Sequence, residues 1–218
     1  MRVGLCLVST DSWMAWSAYD FGGLIGRTVA ARPDVDLRRF LATGCEIPQL
    51  REKTTTAALR AGCDWVLYLD TDMRYPPDTL VRLLAHDKPV VGANYTARRP
   101  PFEPVSAKRD GEKVVRVYTE QESTGLEMVG STGMGCLLVS AQVLDAMKPP
   151  RFMIPWVADD QDHAPEDLFF SRKLNELKVP IYVDHDLSHE VRHLGIVEIE
   201  VNHAVEARNV ALKPRLVT

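Results

Sequence analysis

The segment Trp65-Val66-Leu67-Tyr68-Leu69-Asp70-Thr71-Asp72 constrains this chain more than any other. An unbroken apolar run empties directly into two carboxylates spaced i, i+2. A run of this kind reads as a β-strand covered on both faces, as found in mostly parallel sheets packed between helices. Ligands of open α/β sheets collect beyond the carboxyl ends of such strands, where Asp70 and Asp72 would stand. Two acids at the rim of a low-dielectric core repel each other unless something positive lies between or beside them. A divalent cation is the usual answer, because hard cations take carboxylate oxygens. The plainer alternative is an acidic turn in which Asp72 caps the next helix.

The sequence around that strand alternates in the same sense. Residues 3–8 read as a first strand, followed by a polar-aromatic loop over 9–19 and a helix over 22–31. Residues 36–41 form a second strand, and Pro48 opens a helix that runs to about Ala61, with Gly62 as its stop. Pro76-Pro77-Asp78 starts another helix ending near His86, and 89–92 is a fourth strand. Strands separated by helical segments imply βαβ units with right-handed crossovers.

From residue 94 the pattern changes. Residues 105–108 and 114–118 flank Arg109-Asp110-Gly111-Glu112, a hairpin signal. Short strands over 126–129 and 136–139 surround Gly130, Gly133 and Gly135, and a helix over 141–147 stops at Pro149-Pro150. Residues 152–164 read as a loop carrying Trp156, Asp159, Asp160, Asp162 and His163. A helix over 165–177, a strand over 180–183, and a tail from Val197 with one strand and one helix complete the chain.

A net charge of −4 argues against a generally polyanion-binding surface. Between Arg98 and Arg116, however, Arg98, Arg99, Lys108, Arg109, Lys113 and Arg116 outnumber Glu103, Asp110 and Glu112. Cys6, Cys45, Cys63 and Cys136 are scattered without a C-x-x-C pair, as expected of small buried hydrophobes in a reducing compartment. The apolar run after Arg2 is too short for a secretory signal, and nothing approaches a membrane span. A cytoplasmic protein is expected.

Two further clusters carry chemistry. Glu166-Asp167 opens the helix after Pro165, where proline and acids suit a helix N-terminus for structural reasons alone. The same dipole keeps a carboxylate ionised and ready to accept a proton, and Phe170, Leu174 and Leu177 share one face that anchors the helix. The other cluster is His185, His189 and His193. Their spacing suits a metal on a helix face, but Gly195 and the strand before Asp184 argue against a long helix, and H-E-x-x-H is absent. At least one of these histidines is expected to share a cation with Asp72, imidazole with carboxylate oxygens suiting manganese or a related ion.

These residues together resemble a small glycosyltransferase of the GT-A fold, of the family-2-like bacterial and phage type. Asp70-Thr71-Asp72 resembles the DxD motif, and the similarity continues through Met73, Pro76-Pro77 and the helix after them. Pro89-Val90-Val91-Gly92-Ala93 resembles the next family strand, Gly133-Met134-Gly135-Cys136 the turn before the acceptor-side strand, Glu166-Asp167-Leu168-Phe169-Phe170 the ED motif, and His193-Leu194-Gly195 the late metal-binding histidine. One departure is Arg51-Glu52-Lys53-Thr54, which stands where an arginine–asparagine pair would be expected near the nucleoside.

The resemblance implies an α/β, GT-A-like (Rossmann-like) fold with a mostly parallel central sheet flanked by helices and a smaller mixed or antiparallel acceptor-side sheet. It implies a single domain over 1–218, with a nucleotide-binding half over 1–97 and an acceptor and catalytic half over 98–218. The implied cofactor is Mn²⁺ or Mg²⁺, bound by Asp72, with Asp70 contacting it or the ribose. His193 completes the set, and His189 is the alternative ligand. Arg98 or Arg99 would neutralise the departing nucleoside diphosphate, and the sugar would lie between Gly133-Met134-Gly135 and Glu166-Asp167. Asp167 would deprotonate the acceptor hydroxyl in an inverting enzyme or position sugar or acceptor in a retaining one. The implied partners are a nucleotide-diphosphate sugar and a hydroxyl acceptor, whether glycan, lipid, small metabolite or modified base in DNA. Trp13, Trp16 and Tyr19 would either wall the base or acceptor or pack in the fold.

Two other readings compete. A metal-dependent phosphoryl or nucleotidyl transferase also uses paired acids on a central strand. A catalytically inactive GT-A-like binding module would keep the motifs without turnover. A haloacid-dehalogenase-type phosphatase is disfavoured, since its D-x-D would follow the first strand. A P-loop kinase and a Rossmann dehydrogenase lack their glycine signatures here.

Overall fold

A computed structural model describes residues 1–98, 101–111, 113–157 and 162–195. In chain order the elements are β1 (Arg2–Ser9), α1 (Ala15–Ala31), β2 (Asp36–Thr43), α2 (Ile47–Arg60), β3 (Trp65–Asp70), β4 (Met73–Arg74), α3 (Thr79–Ala85) and β5 (Val90–Gly92). They continue with β6 (Ala107–Asp110), β7 (Lys113–Arg116), β8 (Leu126–Val129), β9 (Cys136–Ser140), α4 (Ala141–Ala146), β10 (Trp156–Val157) and β11 (Asp162–His163). The last are α5 (Glu166–Glu176), β12 (Ile181–Asp184), α6 (His185–Ser188) and β13 (Arg192–His193).

Seven strands form one sheet in the order β2-β1-β3-β9-β5-β12-β8. β1 is parallel to β2 and β3, and β12 is parallel to β5. β9 runs antiparallel between β3 and β5, so β2, β1, β3, β5 and β12 share one direction. β8 closes the edge antiparallel to β12. Three two-stranded antiparallel sheets, β4 with β13, β6 with β7 and β10 with β11, stand beside it.

The period-2 alternation of the strands divides the interior into two cores. Val3, Leu5 and Leu7 of β1 and Leu67 and Leu69 of β3 pack with Phe21 and Leu24 of α1 and Leu80 and Leu83 of α3. Cys6, Val66 and Tyr68 face the other way, onto Ala58 of α2, Leu144 of α4 and Phe170 and Leu174 of α5. Tyr68 is wholly buried and its hydroxyl is satisfied by Thr55 Oγ1 at 2.7 Å. Cys6, Cys63 and Cys136 are buried thiols and Cys45 is exposed. Among the described residues no helix is long and apolar enough to cross a membrane.

Several boundaries depart from those the sequence suggests. α1 begins at Ala15, inside the stretch expected as loop: the Trp13 indole donates to Ser17 Oγ at 3.0 Å and its ring packs tilted against Phe21 at 5.0 Å, which ties the start of the helix to the core. Residues 136–139, expected among the short strands of the second half, form the central strand β9 instead. Close approach there requires glycine, since a Cβ at Gly92 would lie 2.5 Å from the Cys136 carbonyl oxygen. Part of the stretch expected as loop over 152–164 pairs as β10 and β11. Asp159, Asp160 and the tail from Val197 lie outside the described residues.

Candidate active site

β3 delivers Asp70 and Asp72 to the carboxyl end of the sheet, but the fold sends them to different partners. Asp70, in phase with Val66 and Tyr68, falls on the α2 and α5 side. There Arg51 Nη2 donates to Asp70 Oδ1 at 2.9 Å and Arg51 Nε donates to Glu166 Oε1 at 3.2 Å. The Arg51 side chain is only 4% exposed, and its Nη1 has no hydrogen-bond partner. Burial works against its charge, yet Asp70 and Glu166 outweigh that and hold its proton more tightly than usual. Sequence reasoning marks Arg51 only as a departure from a family pattern. A signal is nonetheless present: Arg51, Thr54, Thr55 and Ala58 occupy i, i+3, i+4 and i+7, placing an arginine on the buried face of α2.

Glu166 and Asp167 form the first turn of α5, with Pro165 before them. Leu168 N donates to Asp167 Oδ1 at 2.7 Å, which leaves Oδ2 outside that bond. Burial, with repulsion from Glu166 and Asp70, pushes the Asp167 carboxyl up to about 6 against the opposing pull of Leu168 N–H and Arg51. Asp167 walls a cavity of about 400 Å³ together with Glu103, Pro104, Arg116 and Thr132.

Gly133 and Gly135 lie on the turn before β9. A Cβ at either would come within 2.3 Å and 2.8 Å, respectively, of the Tyr95 hydroxyl, which accepts from Gly135 N at 2.8 Å. The glycines therefore make room for Tyr95, a side chain that sequence reasoning passes over. Burial, then the charges of Asp70 and Asp167, push its phenol well above the usual range. The Met134 side chain turns away into the core beside Phe170.

Asp72 belongs to a second group. β4 pairs with β13, opposing Met73 to His193, and Leu194 N donates to the Asp72 carbonyl at 2.7 Å. Asp72 Oδ2 thereby accepts from Arg98 Nη1 at 2.6 Å and lies 3.4 Å from His193 Nε2. His193 Nδ1 contacts the Thr96 carbonyl at 3.0 Å. A carbonyl only accepts, so Nδ1 carries a hydrogen and Nε2 faces Asp72. Burial disfavours ionisation of both, but their mutual hydrogen bond and attraction prevail, with Thr96 reinforcing His193 and Arg98 reinforcing Asp72. His193 is raised and Asp72 lowered from their ordinary values. The His193 ring stands edge-on to Tyr95 at 5.5 Å and joins the two groups.

His189 is not brought to Asp72: its Nε2 meets the Ser123 carbonyl at 3.0 Å, because α6 ends before the β13 turn that carries His193 inward. His185 is buried between Thr119 and Glu127. Arg99 lies outside the described residues. Among the described residues no group of three or more His, Cys, Asp or Glu side chains is arranged to hold a metal ion by itself. A second cavity, about 490 Å³, is lined by Tyr95, Phe102, Tyr118 and His193. A larger one, about 790 Å³, lies at the β2 edge against Trp13, Phe21 and Phe40 and has no acid in its wall. Trp13 packs there, while Trp16 and Tyr19 are exposed.

No family model matches the chain, and no curated protein is similar to it in sequence. Solved structures are similar in fold. A197 from STIV superposes with a TM-score of 0.53 at 15% identity, over 92% of this chain and 98% of that one. TarS residues 1–349 from S. aureus give 0.49 at 13% identity, over 89% of this chain and 60% of that one. A glycosyltransferase involved in glycosylation of the major capsid of PBCV-1 gives 0.42 at 10% identity, over 96% and 100%. At these identities the likeness to A197 is one of fold alone.

Proposed function

We propose that the chain is a metal-dependent glycosyltransferase that moves a sugar from a nucleotide-diphosphate sugar to a hydroxyl acceptor. The observation that carries this reading is the meeting of Asp72, His193 and Arg98 at one carboxylate oxygen, at the end of the buried strand, with Asp167 at the wall of a neighbouring cavity.

The donor set fits a divalent cation in part. Asp72 offers a carboxylate and His193 a ring nitrogen whose orientation is set by Thr96, the second-layer contact that ligating histidines ordinarily have. Two protein donors leave the remaining positions to water and diphosphate oxygens, as hard cations at phosphate sites commonly have them. Asp72 and His193 would hold Mn²⁺ or Mg²⁺, which would supply charge for the departing diphosphate. Arg98 adds a cation at the same place. Asp70 is engaged by Arg51, so its contact to ribose or metal would need an oxygen other than Oδ1.

Asp167 is the candidate base. Its Oδ2 would take the acceptor proton in an inverting course, and a carboxyl raised to about 6 is a stronger base than an ordinary aspartate while still ionised at neutral pH.

The test is nucleoside-diphosphate release from a panel of nucleotide sugars, with and without Mn²⁺, beside Asp72→Ala. Metal-dependent hydrolysis of one donor, lost in the variant, is the expected result. Donor binding without release would turn the search to the acceptor. Absence of both binding and release would favour the phosphoryl-transfer or binding-module reading.

A further inference from the structure

Arg51 differs from the other cations near the acids because it is buried and yet contacts two motif carboxylates at once. We propose that Arg51 is a positioning residue for the transfer: by holding Asp70 and Glu166 together it fixes the start of α5 against the end of β3, and so carries Asp167 to its cavity. This rests on the transferase reading above.

Three observations bear on it. The guanidinium fork directs separate N–H groups at 2.9 Å and 3.2 Å to acids on different elements, a geometry that a lysine ammonium cannot reproduce. Its remaining nitrogen, Nη1, is sealed from solvent and unpartnered, so Arg51 does not reach a ligand through it. A buried ion network with an unsatisfied donor is a poor device for stability alone, since apolar side chains of the same volume commonly serve a core better. The network holds orientation instead. Asp167 follows Glu166 directly, and the first turn of α5 moves as a unit, so a shift of Glu166 displaces the proposed base. Misplacement of about 1 Å can cost a reaction about a hundredfold.

The experiment compares Arg51→Lys, Glu166→Gln and the double variant with the native chain, using a donor and acceptor that the native chain turns over, at temperatures well below each melting point. Arg51→Lys is expected to lower kcat about tenfold or more while the donor KM stays within about threefold. The double variant is expected to be no worse than Arg51→Lys, because both remove one link. If Arg51→Lys does not fold, Glu166→Gln alone must show the same loss confined to kcat. A raised donor KM with unchanged kcat would make Arg51 a nucleotide contact and overturn the proposal, as would additive effects or no effect on kcat. Absence of both donor binding and turnover by the native chain would instead remove the transferase reading, and this proposal with it.

Discussion

Asp72 and His193, far apart in the chain, meet at 3.4 Å between Oδ2 and Nε2 because the short β4–β13 ladder folds the end of the described chain back onto the residues that leave β3. The Thr96 carbonyl orients the ring and Arg98 shares the oxygen. Asp72→Ala and His193→Ala are each expected to abolish metal-dependent donor turnover, by about a hundredfold or more, with the fold retained. Nucleoside-diphosphate release against Mn²⁺ concentration, beside circular dichroism, checks this. Near-full activity in either variant would remove that residue from the site.

Asp167→Asn tests the base. Transfer should fall about a hundredfold or more while nucleotide binding survives, because the amide keeps the shape and cannot accept the proton. Single-turnover transfer and calorimetric donor binding separate the two effects. Unchanged transfer would clear Asp167 of the role.

The same carboxyl makes a pH prediction. If Asp167 must be ionised, the transfer rate falls as pH drops through about 6, and this acidic limb disappears in Asp167→Asn. A rate flat from pH 5 to 8 in the native chain would contradict it.

Stability should run the other way. The folded state raises this group to about 6 from 3.8, so it binds the proton more tightly than the unfolded chain. Its contribution is favourable to folding below about pH 4 and is lost as pH rises through about 6. At pH 7 to 8 the ionised, half-buried carboxylate costs up to about 3 kcal/mol, at roughly 1.4 kcal/mol for each tenfold change in proton affinity. Asp167→Asn is therefore expected to unfold at higher denaturant than the native chain at pH 8, with the difference shrinking toward pH 4. Equal midpoints at both pH values would argue that folding does not raise this carboxyl.

Gly135→Ala should be damaging, because the new Cβ would lie 2.8 Å from the Tyr95 hydroxyl. A loss of about 1–3 kcal/mol by chemical denaturation is expected, and Tyr95→Phe in the same chain should recover part of it. Lack of recovery would locate the strain elsewhere.

Much of the frame was legible because its signals are local. The apolar runs of β1 and β3, Pro48 near the start of α2, and Glu166-Asp167 after Pro165 declare their elements by period, by a fixed φ or by charge at a helix dipole. The strand β9 was legible as a strand but not as the centre of the sheet. Its burial suits several neighbours, and Gly92 selects β5 only by allowing the Cys136 carbonyl to approach.

The candidate site divides along the same line. Sequence alone marked Asp70, Asp72, Glu166, Asp167 and His193 as residues whose chemistry needs an environment. Tertiary structure assigned the environments: Arg51 to Asp70 and Glu166, Arg98 and His193 to Asp72, Tyr95 to the glycine turn, and Ser123 to His189. Residue type and period follow from forces between neighbours in the chain, which a sequence displays. Pairing across the sheet depends on which distant surfaces fit, and only the packed fold decides that.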